Sequence, residues 1–150
     1  FPLSEKREDN FVAGLSMGGY GSFKLALRKP EMFSAAASFS GTLCMDDMIN
    51  YVPHREKEFN EIFGSLDAIK DSENDLKFLA VKAVEENIKL PRLYQSCGTE
   101  DFLYKMNIEF KEFAEKNGLN LTYEEGRGSH EWAYWDRSIQ RALEFFEIKK

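Results

Sequence analysis

Short apolar runs alternate with amphipathic stretches along this chain, and the alternation predicts an α/β fold. The first predicted strand is Phe11-Val12-Ala13, which follows the charged segment 5–9 as a buried parallel strand follows a surface loop. Further strands are predicted at 34–41, 93–98 and 120–124. Strands that alternate with helices imply a parallel sheet with right-handed crossovers.

Three helices are predicted beside this sheet. The first follows a Gly-rich turn, covers 22–29 and ends at Pro30, since proline cannot continue a helix. The second ends at Asn117-Gly118. Its apolar residues share one face: Met106, Phe110, Phe113 and Ala114. The last helix has a similar face: Trp135, Ile139, Ala142, Leu143 and Phe146.

The segment 42–90 differs from the rest of the chain. It is charged, helical in pattern and without an obvious strand, and Ser65 can N-cap a helix after Gly64. We therefore expect a helical cap inserted into a single domain that covers 1–150. Within the cap, Phe59, Ile62 and Phe63 have helical spacing. They form either a small cap core or, as the functional alternative, one wall of an acyl pocket.

Composition limits the class of protein. The chain has 150 residues, 43% of them hydrophobic, which suits one globular domain. A net charge of −6 argues against a nucleic-acid partner, and no window approaches the length of a membrane span. Cys44 and Cys97 are too few for a disulfide framework and lack metal-ligand spacing, which is compatible with a cytosolic location. Homo-oligomerisation is left open.

A Gly-x-Ser-x-Gly motif at 14–18 carries the strongest chemical signal. A strand, a serine between glycines and a helix follow one another in the order of a nucleophile elbow. We expect side chains at Gly14 and Gly18 to clash with the neighbouring strand or helix. The turn exposes the Ser16 hydroxyl and directs the Met17 N–H toward a developing oxyanion. The alternative is a Gly-rich turn with a structural serine.

Two further residues, a carboxylate and a histidine, follow predicted strands and could act together with Ser16. The carboxyl ends of parallel strands meet at one edge of a sheet, so Ser16, Asp101 and His130 are expected to converge. An imidazole activates the hydroxyl, and a carboxylate orients the imidazole. Glu100 is an alternative to Asp101 as the carboxylate that orients the imidazole, and the chemistry of the two residues alone does not separate them.

The remaining candidates each have a structural alternative. His54 is the only other histidine and lies among charged residues, which is typical of a solvated surface. His130 could instead be a loop histidine that fills space beside Trp132. Trp132 either lines the site or serves packing. Trp135 belongs to the helix core by its spacing.

Three motifs together resemble the esterase D group of α/β-hydrolases, and the bacterial tributyrin-type esterases in particular. They are Gly14-Leu15-Ser16-Met17-Gly18-Gly19-Tyr20-Gly21, Gly98-Thr99-Glu100-Asp101-Phe102-Leu103, and Gly128-Ser129-His130-Glu131-Trp132. The resemblance implies an α/β-hydrolase fold with Ser16 as nucleophile, Asp101 as acid and His130 as base. It also implies that the Met17 N–H is half of the oxyanion hole.

The chain departs from this group in one respect. Group members carry a substantial segment before the elbow, with further strands and the loop that supplies the second oxyanion donor. We therefore expect this chain to be the C-terminal portion of a hydrolase, with the N-terminal segment supplied separately or lost. The strand at 11–13 should then have an unpaired edge and an exposed apolar face. The piece alone should have weak activity or none.

The resemblance implies a serine esterase that acts on small-molecule esters through an acyl-serine intermediate. Short-chain acyl and hydroxycinnamoyl esters are the expected substrates, and neither a metal nor an organic cofactor is implied. One alternative is an S-formylglutathione hydrolase or acyltransferase that uses the same triad. The other is a non-catalytic binding module of the same fold.

Overall fold

Four parallel strands form one sheet in the computed structural model, which describes residues 4–148. The strands are β1 (Phe11–Leu15), β2 (Ala35–Phe39), β3 (Arg92–Gly98) and β4 (Leu121–Gly126), and they lie side by side in that order. The parallel α/β architecture predicted from the alternation is therefore confirmed. Residues 1–3 and 149–150 of the predicted domain lie outside the described residues.

Small residues let β2 occupy the middle of the sheet. Ala37 pairs with Ala13 of β1 on one side and with Tyr94 of β3 on the other. All five residues of β2 are buried. The expectation of a buried β1 is wrong for the described residues: β1 is an edge strand there, and Ala13 is exposed. Its free edge matches the expected unpaired strand.

Helices cover both faces of the sheet. They are α1 (Met17–Arg28), α2 (Met48–Tyr51), α3 (Glu56–Phe63), α4 (Leu76–Glu85), α5 (Tyr104–Lys116) and α6 (Trp132–Phe146). One core contains Phe23 of α1 and Phe110 of α5. The other core, on the opposite face, contains Trp135 and Phe146 of α6. None of the helices within residues 4–148 has the length and apolar character needed to cross a membrane.

The predicted face of α6 is correct except at Leu143, which is 46% exposed. Leu143 lies about 80° around the helix from Trp135. This side of α6 also carries Trp132 and Asp136, which line an open groove beside β1. Because the sheet of the described residues ends at β1, it does not reach far enough to cover Leu143.

The segment 42–90 contains helices and no strand, as predicted. Its last helix, α4, packs directly against α1, and Leu76 and Ala80 belong to the same core as Phe23. That part of the predicted cap is therefore a flanking helix of the sheet. The Ser65 side chain accepts a hydrogen bond from the Asp67 N–H, which caps a short 3-10 turn.

Candidate active site

Ser16 lies in a sharp turn between β1 and α1. Its backbone has φ 54° and ψ −120°, in a region that residues with a side chain rarely adopt. The Ser16 N–H donates to the Phe39 carbonyl at 2.8 Å, which ties the turn to the end of β2. The strand–turn–helix geometry expected at 14–18 is thus present, and it presents the hydroxyl at the carboxyl edge of the sheet.

The glycines around Ser16 do not all have the expected role. A Cβ at Gly14 would lie 2.1 Å from the Gly18 carbonyl oxygen, whereas a Cβ at Gly18 would meet nothing within 4 Å. The expected clash at Gly18 is therefore wrong. The second crowded position is Gly19, where a Cβ would lie 2.5 Å from Ser38 Oγ and 2.9 Å from Gly41 Cα. The first turn of α1 therefore requires glycine at 14, and the close approach to Ser38 and Gly41 requires glycine at 19.

Alanine substitutions at Gly14 and Gly18 should have opposite effects on stability. Gly14→Ala forces backbone apart, so we expect a loss of roughly 3 kcal/mol or more, the upper end for overpacking. Gly18→Ala, its matched control, places a helix-favouring residue in open space and should stabilise by up to about 1 kcal/mol. Urea denaturation measures both. Equal destabilisation by the two variants would contradict the geometry.

The structure brings Ser16, His130 and Asp101 into one hydrogen-bonded chain. His130 Nε2 lies 2.9 Å from Ser16 Oγ. On the other side of the ring, Nδ1 lies 3.1 and 3.0 Å from the two Asp101 carboxylate oxygens. These residues follow β1, β4 and β3 respectively, so the carboxyl edge of the sheet assembles all three.

Asp101 is enclosed and ionised. Its side chain is fully buried, whereas that of His130 is 22% exposed. Burial alone raises the pKa of Asp101, but the hydrogen bonds that it makes with His130 and with the Leu103 N–H help to outweigh burial, and the pKa lies below its ordinary value. The Leu103 N–H donates to Asp101 Oδ1 at 2.8 Å. The carboxylate is therefore charged at neutral pH and oriented toward the imidazole.

The competing candidates lie elsewhere. Glu100 is exposed and forms an ion pair with Arg127 at 3.2 Å, so the geometry selects Asp101 as the partner of His130. His54 is exposed, as its charged neighbours predict. Cys44 and Cys97 are buried and free. Within residues 4–148, no group of three or more histidine, cysteine or acidic side chains is arranged to hold a metal ion.

Two aromatic rings enclose His130. The Trp135 ring lies 4.9 Å from the imidazole in an edge-on arrangement, and the Phe102 ring lies 4.8 Å from it. Phe102 is 54% exposed beside the site. Phe102 belongs to one of the three motifs, but no contact with the site was predicted for it. The sequence feature that could have placed Phe102 beside the site is its position directly after Asp101.

Met17 begins α1, so its N–H is one of the first amides of the helix, which have no intrahelical acceptor. The N–H groups of Gly19 and Tyr20, by contrast, donate to the Ser16 carbonyl. The positive end of the α1 dipole lies at the same place. The turn therefore offers one amide donor and a favourable field to an anion beside Ser16.

The three predicted substrate contacts lie in two different environments. Trp132 is 73% exposed and lines a groove of about 540 Å³ together with Leu15, Ala13 and other residues at the β1 edge. Phe59 is 2% exposed in the core, and Phe63 stacks on it at 6.3 Å. This burial argues against the acyl-pocket wall. The two phenylalanines also do not form a separate small cap core, because they belong to the core that contains Phe23.

Known proteins resemble the chain over nearly its whole length. The family model Esterase, described as "Putative esterase", matches residues 1–146. An acetyl esterase from Caldicellulosiruptor saccharolyticus is 31% identical over 152 residues, which cover 97% of this chain and 57% of that protein.

Solved structures give the same result. The crystal structure of the S-formylglutathione hydrolase FrmB from Staphylococcus aureus is 38% identical with a TM-score of 0.88, and the match covers 97% of this chain and 57% of FrmB. A ferulic acid esterase structure is 26% identical with a TM-score of 0.71, over 97% and 53% of the two chains. The chain therefore spans between half and three fifths of the length of these relatives.

Proposed function

Because the chain belongs to the esterase family, we propose that it carries the catalytic residues of a serine hydrolase that cleaves carboxylic esters. The observation behind the proposal is the continuous hydrogen-bonded series from Ser16 through His130 to Asp101. Each group is within the distance that proton transfer in such a triad requires. A non-catalytic module of this fold would not need to keep this geometry.

In the proposed reaction, Ser16 Oγ attacks the ester carbonyl carbon while His130 Nε2 takes the hydroxyl proton. The imidazolium then gives this proton to the alkoxide leaving group, and an acyl-serine intermediate remains. A water molecule deprotonated by His130 attacks the acyl carbon and releases the acid and the free Ser16. Asp101 accepts the hydrogen bond of Nδ1–H, which fixes the tautomer and stabilises the charged ring. No step of this proposed reaction involves a metal or an organic cofactor.

The oxyanion of each tetrahedral intermediate is assigned to the Met17 N–H at the start of α1. Serine hydrolases of this fold use two amide donors, the second from a loop after an earlier strand. We assign that donor to the part of the esterase domain that the relatives have in addition to the span of this chain. This part is then the principal protein partner, as a segment of the same polypeptide or as a separate chain.

The free edge of β1 and the adjoining groove support such a partner. The groove is lined by Leu15, Ile139 and other mostly apolar side chains, and Leu143 and Trp132 are exposed on the same side of α6. An uncovered apolar face beside an unpaired strand favours association. Pairing of two copies of this chain through the β1 edges is the alternative.

Fusing the chain to the preceding part of S. aureus FrmB tests both the partner and the function. With a second oxyanion donor supplied by that part, we expect ester turnover to rise by about 10²–10³ over the 150-residue chain alone. Equal turnover by the two forms would contradict the assignment of the second donor to that part. The fusion should also be monomeric by sedimentation if its added segment, and not a second copy, covers β1.

Short-chain acyl esters are the proposed substrates, with support from the similarity to an acetyl esterase. Similarity to FrmB favours a second candidate, S-formylglutathione, a thioester that the same triad can attack. Similarity to a ferulic acid esterase is weaker, and hydroxycinnamoyl esters are therefore the third class of substrate to test. Values of kcat/KM of the fusion for p-nitrophenyl acetate, S-formylglutathione and methyl ferulate separate these classes.

A further inference from the structure

We propose that Asn107, a buried side chain of α5, is a positioning residue that ties the support of the Ser16 turn to the loop that carries Asp101. No role was predicted for Asn107 from the sequence, where it is a polar residue among the apolar positions of one helix face. The expected effect on nucleophile reactivity rests on the proposed function. The structural part, a set of hydrogen bonds that reaches the backbone of Ser16, is independent of it.

Asn107 occupies a position where a helix ordinarily buries an apolar side chain. It precedes Phe110 by three residues and Ala114 by seven, so it shares their face of α5, and like them it is fully buried. A buried amide destabilises the fold unless its polar atoms are hydrogen-bonded. The hydrogen-bond partners of Asn107 therefore decide what this side chain contributes.

The Asn107 amide uses all of its polar atoms. Its Nδ2 group donates to the Gly41 carbonyl at 3.0 Å and to the Leu103 carbonyl at 3.0 Å. Its Oδ1 accepts from Gln95 Nε2 at 3.0 Å. A flipped amide would direct its oxygen at two carbonyl oxygens, so the contacts select this orientation. The side chain is thereby fixed between Gly41 and Leu103.

Gly41 belongs to a short segment, 39–42, that binds both backbone polar groups of the proposed nucleophile. The Ser16 N–H donates to the Phe39 carbonyl at 2.8 Å, and the Thr42 N–H donates to the Ser16 carbonyl at 3.3 Å. Ser16 has a strained backbone with φ 54°, which persists only where its surroundings hold it. Segment 39–42 supplies this hold, and Asn107 anchors the segment.

Leu103 connects Asn107 to the other end of the triad. The Leu103 N–H donates to Asp101 Oδ1 at 2.8 Å, while the Leu103 carbonyl accepts from Asn107 Nδ2. One amide therefore joins segment 39–42 to the residue that orients the Asp101 carboxylate. Since catalysis depends on precise placement of the reacting groups, loss of this link should loosen the Ser16 turn relative to the acid–base pair.

Asn107→Leu tests the proposal in the 150-residue chain, because leucine has a similar shape and no hydrogen-bonding group. The Gly41 carbonyl loses its side-chain donor, which weakens the hold on segment 39–42. We expect hydrogen exchange of the Ser16 and Thr42 amides, followed by NMR, to become about 10-fold faster relative to exchange in the β3–β4 ladder. The rate of fluorophosphonate labelling at Ser16 should fall by about 10-fold.

Asn117→Leu is the matched control. Asn117 Nδ2 donates to the Phe113 carbonyl, four residues earlier, at 2.8 Å, as Asn107 does to Leu103, but it lies just after the far end of α5. This variant should leave both readouts at their wild-type values. Asn107→Ser separates the two contacts of Asn107, because a helical serine has one donor and directs it to the carbonyl four residues earlier. It should therefore lose the Gly41 contact and behave like Asn107→Leu.

A merely structural role for Asn107 would speed exchange at all slowly exchanging amides alike. Equal acceleration in segment 39–42 and in the β3–β4 ladder would therefore overturn the proposal, as would an unchanged labelling rate where the wild type is labelled. If Asn107→Leu does not fold, Asn107→Ser decides by the same criteria. A wild-type chain that resists the fluorophosphonate would count against the proposed function, while the exchange ratio would still test Asn107.

Discussion

Ser16→Ala should remove fluorophosphonate labelling and ester hydrolysis almost completely. In serine hydrolases, loss of the nucleophile costs about 10⁶ in kcat. Here Ser16 Oγ is the atom that lies 2.9 Å from His130 Nε2, at the exposed turn of the elbow. Labelling of the 150-residue chain is followed by mass spectrometry, and hydrolysis by the fusion is followed with p-nitrophenyl acetate.

The fold should survive this change, because alanine keeps the Cβ and, among residues 4–148, the Ser16 side chain hydrogen-bonds only to His130. Ser34→Ala is the control. Ser34 lies just before β2, at the opposite edge of the sheet, and within the described part of the chain its hydroxyl donates to the backbone carbonyls of Glu8 and Asn10. It should label like the wild type. A Ser16→Ala variant that is still labelled at the wild-type rate would refute the assignment of the nucleophile.

Asp101→Asn should lower the labelling and hydrolysis rates by about 10⁴, the cost of losing the tautomer that a triad carboxylate imposes. An amide in place of the carboxylate can donate to His130 Nδ1 and so favours the wrong tautomer. The matched control is Glu100→Gln, which neutralises the neighbouring exposed carboxylate that pairs with Arg127. Equal losses in the two variants would contradict the selection of Asp101 by the geometry.

The same variant should show a pH-dependent change in stability. The pKa of Asp101 is lowered in the folded protein, so its ionised form stabilises the fold above the unfolded pKa of about 3.9. That contribution is lost as the pH falls through the lower, folded pKa. The Tm deficit of Asp101→Asn should therefore be largest at neutral pH and should shrink below pH 4 or so. A deficit that is constant with pH would contradict the hydrogen-bonded, ionised Asp101.

Much of the framework follows from local patterns. The helical spacing of Met106, Phe110 and Ala114 predicted the buried face of α5, and all three are fully buried. Gly118 ends that helix with a φ of 68°, as its type predicts. The convergence of Ser16, Asp101 and His130 was predictable because the carboxyl ends of parallel strands share one edge.

Features that depend on tertiary neighbours were not predictable in this way. Leu143 continues the apolar spacing of α6, but its burial depends on how far the sheet extends beyond β1. The choice between Gly18 and Gly19 as the crowded position depends on how closely the turn approaches Ser38 and Gly41. A motif cannot report this distance.

The choice between Asp101 and Glu100 has a similar origin. Both acids are adjacent after β3, and only the course of the loop decides that Asp101 turns inward while Glu100 pairs with Arg127 at the surface.

The most direct test of the central claim is mass spectrometry of the 150-residue chain after treatment with a fluorophosphonate. The reagent reacts with a serine that a neighbouring base activates, so it reports the assembled site without the need for a known substrate. We predict a single adduct that peptide mapping assigns to Ser16 and that is absent from Ser16→Ala. No adduct, or an adduct on another serine, would contradict the claim that this chain assembles an activated nucleophile.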